Sequence, residues 1–174
     1  MYQDSNKDND WGTIHTDEFK LNPNHKNRIF IIDDFYTNPK ELRNFAINQW
    51  FYDDEGYEGL RTRKQFFFEG VKEKFEDAIG EKITVWEEHG MNGRFQSHKA
   101  DFRPVYHCDS QTWAAAWYGN IDAPYEAGTS FYAHKETRLR GGEDDIGRAF
   151  AGSTWVDPTP YVKVDTAANI FNRL

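Results

Sequence analysis

Cysteine is nearly absent from this sequence. Cys108 stands alone, so no disulfide can close within the chain, which fits a reducing compartment. Long apolar runs are missing as well, and none approaches the roughly 20 residues that a spanning helix needs. The first residues, MYQDSNKDNDWG, lack the apolar core of a secretory signal. The expected location is therefore cytoplasmic. Basic residues are in the minority, 21 Lys and Arg against 29 Asp and Glu, for a net charge of −8. That balance argues against nucleic-acid phosphate or an anionic membrane surface as a partner. Several chemical signatures are missing too. No Gly-X-Ser-X-Gly elbow occurs, and RLRGGEDD lacks the Lys-Ser/Thr ending of a phosphate loop. Cys108 carries no signature of a nucleophile, and pairs such as Asp33-Asp34 and Asp53-Asp54 are too common here to mark a glycosidase.

Rings are what the sequence has in quantity. Hydrophobic residues make up only 38%, yet 17% are aromatic, with 14 Phe, 9 Tyr and 6 Trp. A core built from rings can be large even where aliphatic residues are few. At 174 residues the chain suffices for one domain with a real core.

Residues 1–27, rich in Asn, Asp and Lys, read as a polar N-terminal arm with one short strand near Thr13 to Phe19. Residues 28–174 read as a single domain. RIFIIDDF (28–35) is a β-branched apolar run and an expected buried strand. TNPKELRNFAINQW then reads as a helix, capped by Asn38 and opened by Pro39 at the position where a missing N–H is harmless. FYDDEGYEGLRTRK (51–64) reads as a loop. Its Arg61 and Arg63 are either solvated cations or a hold for an anionic substrate. VKEKFEDAIG reads as a second helix stopped by Gly80. Beyond it the period changes to two: KITVWEE, GRFQSHKA, TWAAAWYG, GTSFYAHK and PYVKVD are expected strands, and residues 161–174 alternate like a strand to the end. Residues 139–155 form a long Gly-rich loop, the kind of segment that often carries function. Helices first and antiparallel strands after them predict a mainly β (α+β) domain, a sandwich or barrel-like core braced by N-terminal helices.

VYHCDSQTWAAAWYGN holds the densest chemistry. His107 and Asp109 are two apart, so on a strand they share a face while Cys108 turns away. A neutral imidazole and a carboxylate suit Fe(II), and two histidines with one carboxylate form a facial triad that leaves open positions. The same pair also reads as a surface histidine beside an aspartate.

The stretch RPVYHCDSQTWAAAWYGNIDAPYEAGTSFYAHK resembles the core of the Fe(II)/2-oxoglutarate-dependent dioxygenase superfamily, in its prolyl-hydroxylase-like branch. The order His-X-Asp, then WYGN, then a Gly-Thr-X-Phe strand carries the likeness, and IFIIDDFYTNPKELRNFA resembles the strand-then-helix entry of that branch. The resemblance implies a double-stranded β-helix (jelly roll, cupin-like), with Fe(II) on His107 and Asp109 and 2-oxoglutarate as cosubstrate. It puts Tyr118, Thr129 and Gln96 on that cosubstrate. The substrate would be a small molecule or a peptide.

In the family, a second histidine and the basic residue that grips the distal carboxylate of 2-oxoglutarate follow a stretch like NIFNRL. Here NIFNRL closes the sequence. The expectation is therefore a C-terminally incomplete barrel that holds metal weakly and forms a homodimer through an exposed sheet edge. His134 is the foremost substitute for the third ligand, ahead of His98 and His89. Two alternatives stand beside the oxygenase: a non-catalytic jelly-roll binding module, and a cupin-like metal enzyme using His98, His107 and His134.

Overall fold

A computed structural model describes residues 29–53, 59–98, 106, 107, 109, 111–136 and 159–174. The N-terminal arm, Cys108 and the Gly-rich loop 139–155 lie outside the described residues. The chain divides into two compact units, one of Lys40–Arg103 and one that joins the chain up to Pro39 with Pro104–Leu174. Helices and small antiparallel sheets make up the described structure. No helix among the described residues is long and apolar enough to cross a membrane.

Helix α1 runs Pro39–Ile47 and opens on proline as expected, with Glu41 in the first turn, where the helix dipole favours an acid. Two side-chain amides close its far end. Asn48 Nδ2 donates to Asn44 O at 2.7 Å and Gln49 Nε2 to Phe45 O at 3.0 Å. These carbonyls belong to the last turn, whose acceptors have no partner within the helix. Helix α2 runs Val71–Ile79 and stops at Gly80, whose φ of 72° and N–H to Glu76 O form a left-handed cap. The Pro39 start and the Gly80 stop read from the sequence hold.

Strands β1 (Phe51–Asp53), β2 (Leu60–Thr62) and β3 (Gln96–Ser97) form an antiparallel sheet in that order. Part of the segment expected as a loop, 51–64, is thus sheet. Thr62 explains why. It is 1% exposed, and its hydroxyl donates to Lys64 O and accepts the Phe95 N–H, tying the turn-rich GLRTRK to the strand beyond it. Rings of Phe45, Phe66 and Phe95 pack on one another at 5.1 to 6.1 Å.

KITVWEE, expected as a strand, is a string of bends and turns. Side chains capture its backbone. The Glu76 carboxylate accepts from Lys82 Nζ and from the Ile83 N–H, and Asn92 Nδ2 donates to Trp86 O. Gln65 Nε2 gathers the carbonyls of His89 and Asn92 at 2.9 and 3.0 Å. Such bonds compete directly with a strand ladder.

In the other unit, β4 (Thr129–His134) pairs antiparallel with β5 (Tyr161–Ala167). Phe131 faces Asp165 and Tyr132 faces Lys163, so Val164 is the extra residue of a bulge. Gly128 is required at the start of the hairpin, because a Cβ there would lie 1.9 Å from Ala167 O. Ala133, Ala168 and Phe35 are buried.

The expected strand 161–174 ends at Ala167. Asn172 then adopts φ 65°, which breaks the extended path. Leu174 nevertheless exchanges both backbone hydrogen bonds with Ile32, each 3.0 Å, the pattern of an antiparallel pair. So Ile32 and Phe35 bond to the C-terminal stretch, while the described part of 28–35 is not a regular strand and Asp34 bends away at φ 54°. TWAAAWYG is likewise irregular. Tyr118 ties it to the C-terminal stretch through the backbone, its N–H donating to Arg173 O and its carbonyl accepting the Asn172 N–H.

Candidate metal and cosubstrate site

Tyr106 anchors the segment that carries His107. Its ring stacks on Tyr161 at 5.3 Å and meets Tyr132 edge-on at 4.8 Å. Both partners belong to the β4–β5 hairpin, so the His-X-Asp segment is held against that sheet by rings.

His107 Nε2 lies 3.5 Å from Asp109 Oδ1, with the two side chains 52% and 42% exposed. The imidazole and the carboxylate thus lie side by side, although Tyr106, His107 and Asp109 belong to none of the strands expected of them. Imidazole nitrogen and carboxylate oxygen sit about 2.0–2.2 Å from a divalent ion such as zinc, which puts two donors at a right angle about 3 Å apart. The observed separation fits a shared ion after a small side-chain movement. Among the described residues, no third His, Cys, Asp or Glu completes a group with them. His134 packs its ring toward Tyr161, with centroids 6.2 Å apart.

Tyr118 and Thr129 are also brought together. The Tyr118 hydroxyl lies 2.6 Å from Thr129 Oγ1 and accepts the Thr129 N–H at 2.8 Å. Thr129 opens β4 opposite Ala167, and Tyr118 is held through its backbone by Asn172 and Arg173. One hydroxyl pair is therefore fixed from both ends, half-buried at the tyrosine and exposed at the threonine. Together the two oxygens offer a donor and lone pairs to a carboxylate or carbonyl ligand.

Gln96 belongs to the unit Lys40–Arg103. Its Oε1 accepts from Arg61 Nε at 3.2 Å, and its Nε2 contacts His98 Nε2. Arg61 itself is buried on β2 rather than solvated. The His89 Nδ1 atom is buried and has no partner among the described residues.

Asn172 escaped sequence reasoning. It is 3% exposed. Its Oδ1 accepts the Tyr36 N–H at 3.0 Å and Trp117 Nε1–H at 3.1 Å, while its Nδ2 donates to Tyr36 O at 2.9 Å. Its backbone adds bonds to Phe35 and Tyr118. The one available signal was residue type, since asparagine tolerates the left-handed region better than most. Burial pushes the Tyr36 phenol up from its ordinary pKa.

Comparison with family models, with curated proteins and with solved structures returns no match.

Proposed function

We propose that this chain is an Fe(II)- and 2-oxoglutarate-dependent oxygenase domain of the double-stranded β-helix class, acting on a small-molecule or peptide substrate. The observation that carries the reading is the approach of His107 Nε2 to Asp109 Oδ1 at 3.5 Å. The Tyr118–Thr129 hydroxyl pair supports it, since two residues eleven apart in sequence, both expected at the cosubstrate, share a hydrogen bond. The β4–β5 antiparallel pair and the rings that tie Tyr106 to it are in keeping with a jelly-roll core.

In this reading His107 and Asp109 hold the ion, the imidazole as a neutral donor and the carboxylate offsetting part of the ion's charge. Bound there, iron with 2-oxoglutarate would supply oxidative chemistry in which O2 gives one oxygen atom to a substrate C–H bond as a hydroxyl and the other to the oxoacid, which leaves as succinate and CO2. The protein's own part is ligation and orientation. Tyr118 and Thr129 present hydroxyls to the cosubstrate, and their mutual hydrogen bond fixes both in place before it binds.

The test is calorimetric titration of Mn(II), a redox-silent stand-in for iron, with 2-oxoglutarate present. Binding that disappears in both His107→Ala and Asp109→Ala is the expected result. Unchanged binding in the two variants sinks the proposal. Succinate release with Fe(II) under air then separates an oxygenase from a binding module that holds the same ion.

A further inference from the structure

The unit Lys40–Arg103 carries a second place with unused chemistry. An open cavity of about 290 Å³ is lined by Gln49, Trp50, Thr62, Arg63, Lys64 and Phe66. Its walls differ sharply in character. The Trp50 indole is 71% exposed, an unusual state for the largest apolar ring. Beside it stand two consecutive cations, Arg63 and Lys64. Among the described residues, neither Arg63 nor Lys64 forms an ion pair with a carboxylate, although acids outnumber bases in the chain.

Arg63 is held, not loose. Its guanidinium lies 5.4 Å over the Trp50 ring and 5.3 Å over the Tyr52 ring. Such a contact does not consume the N–H donors along a guanidinium's edge. That edge is a planar fork, the shape that pairs with a carboxylate through two parallel bonds. Lys64 adds a second positive charge next to it. The volume is at the small end of ligand cavities. It suits one ring with a short acidic arm rather than a nucleotide.

We propose that this cavity binds a small organic acid with a flat apolar body, its carboxylate on Arg63 and Lys64 and its ring against Trp50 and Phe66. This site is independent of the oxygenase reading, because every residue it uses lies within Lys40–Arg103.

The experiment uses the whole 174-residue chain and three probes: phenylacetate, the neutral phenylacetamide and inorganic phosphate. Binding is followed by tryptophan fluorescence and by calorimetry. Phenylacetate is expected to bind, with phenylacetamide weaker on the order of tenfold, the scale of one charge-assisted pair. Arg63→Gln and Trp50→Ala should each weaken phenylacetate to a similar degree, whereas Trp50→Phe should keep most of the affinity. Both parent side chains are exposed, and unchanged melting midpoints will confirm that the variants fold. If a variant does not fold, Lys64→Gln replaces Arg63→Gln, and Trp50→Leu, which keeps an apolar side chain without the ring, replaces Trp50→Ala. The proposal is overturned if phenylacetate does not bind, if the amide binds equally well, or if Arg63→Gln has no effect. Phosphate binding as tightly as phenylacetate also overturns it, because the ring would then play no part.

Discussion

Arg173 and Asp33 meet through two parallel hydrogen bonds, Nε to Oδ1 at 2.6 Å and Nη2 to Oδ2 at 2.8 Å, across 140 positions of sequence. The arginine is largely buried and the aspartate half-exposed. A forked pair of this kind fixes an angle as well as a distance. Solvent at the carboxylate screens it, so Asp33→Asn should cost only about 0.5–1 kcal/mol. Arg173→Lys keeps the charge and loses the fork, and should cost a similar amount. Urea unfolding measures both. A lysine variant as stable as the parent would mean that charge alone matters.

Asn172 should be far less forgiving. Asn172→Ala strands the Tyr36 N–H, the Trp117 Nε1–H and the Tyr36 carbonyl in a buried place. Each orphaned group costs about 1–3 kcal/mol, partly recovered by relaxation, so a total loss of about 3 kcal/mol is expected. Asn172→Gly loses the same bonds but accepts φ 65° without strain. It should be about 1 kcal/mol less harmful than alanine. Equal midpoints for the two would show that the backbone angle carries no cost.

These two residues mark where the sequence stopped being legible. Alternating apolar positions made 161–174 look like one strand, and pattern alone cannot reveal that a buried asparagine turns the path at 172. Both helices were legible because their ends are written locally, in Pro39 and in Gly80. β4 and β5 were legible because Thr, Phe, Tyr and Val alternate there without competitors. KITVWEE has the same pattern but lies within reach of Gln65, Glu76 and Asn92, whose side chains take its backbone partners. β1 and β2 were hidden by turn residues, since what makes them strands is their pairing with each other and the pairing of β2 with β3, more than thirty positions further on. At the candidate site, spacing and resemblance together singled out His107 with Asp109 and Tyr118 with Thr129, and each pair lies side by side, while their roles toward an ion and a cosubstrate stand as the proposal. Gln96 was legible as a polar strand residue, though not as the partner of Arg61.

Glu76 predicts a pH dependence. Its hydrogen bond from Lys82, then the one from the Ile83 N–H, hold its carboxyl below the usual carboxylate range. A folded pKa below the unfolded one gives stability that is present above the unfolded pKa, about 4.3, and is lost as pH falls through the folded value. The urea midpoint should therefore drop on acidification below about pH 4. In Glu76→Gln the drop should be shallower, because the amide cannot titrate. Parallel curves for parent and variant would show that the Lys82–Ile83 clasp contributes nothing in this window.

Gly128 tests the hairpin. With a Cβ only 1.9 Å from Ala167 O, Gly128→Ala cannot be accommodated unless β4 and β5 separate at that end. The carbonyl belongs to the backbone, so no side-chain rotation relieves the clash. A loss of about 3 kcal/mol or more is expected, in the range kept for overpacking at a closed site. Gly128→Ala should also disturb Thr129, the next residue, and with it the Tyr118 contact. A variant that melts with the parent would place the real hairpin end elsewhere.

Tyr118 and Thr129 allow stability and ligand binding to be separated. Tyr118→Phe removes the oxygen that accepts the Thr129 N–H and touches Thr129 Oγ1. Thr129→Val removes only the second of these contacts, and keeps the β-branch that suits β4. Tyr118→Phe should therefore destabilise more, by about 1 kcal/mol, with Thr129→Val at about half of that. The double variant should fall short of the sum, because both changes delete one shared bond; a coupling of about 0.5 kcal/mol is expected. If the hydroxyls also contact 2-oxoglutarate, each single variant will raise the concentration of 2-oxoglutarate needed for half-saturation by several-fold, measured by calorimetry with Mn(II) present. Full additivity would mean that the 2.6 Å contact is energetically idle. Coupling without any change in 2-oxoglutarate binding would leave the pair as a brace for the β4 end and remove both residues from the proposed site.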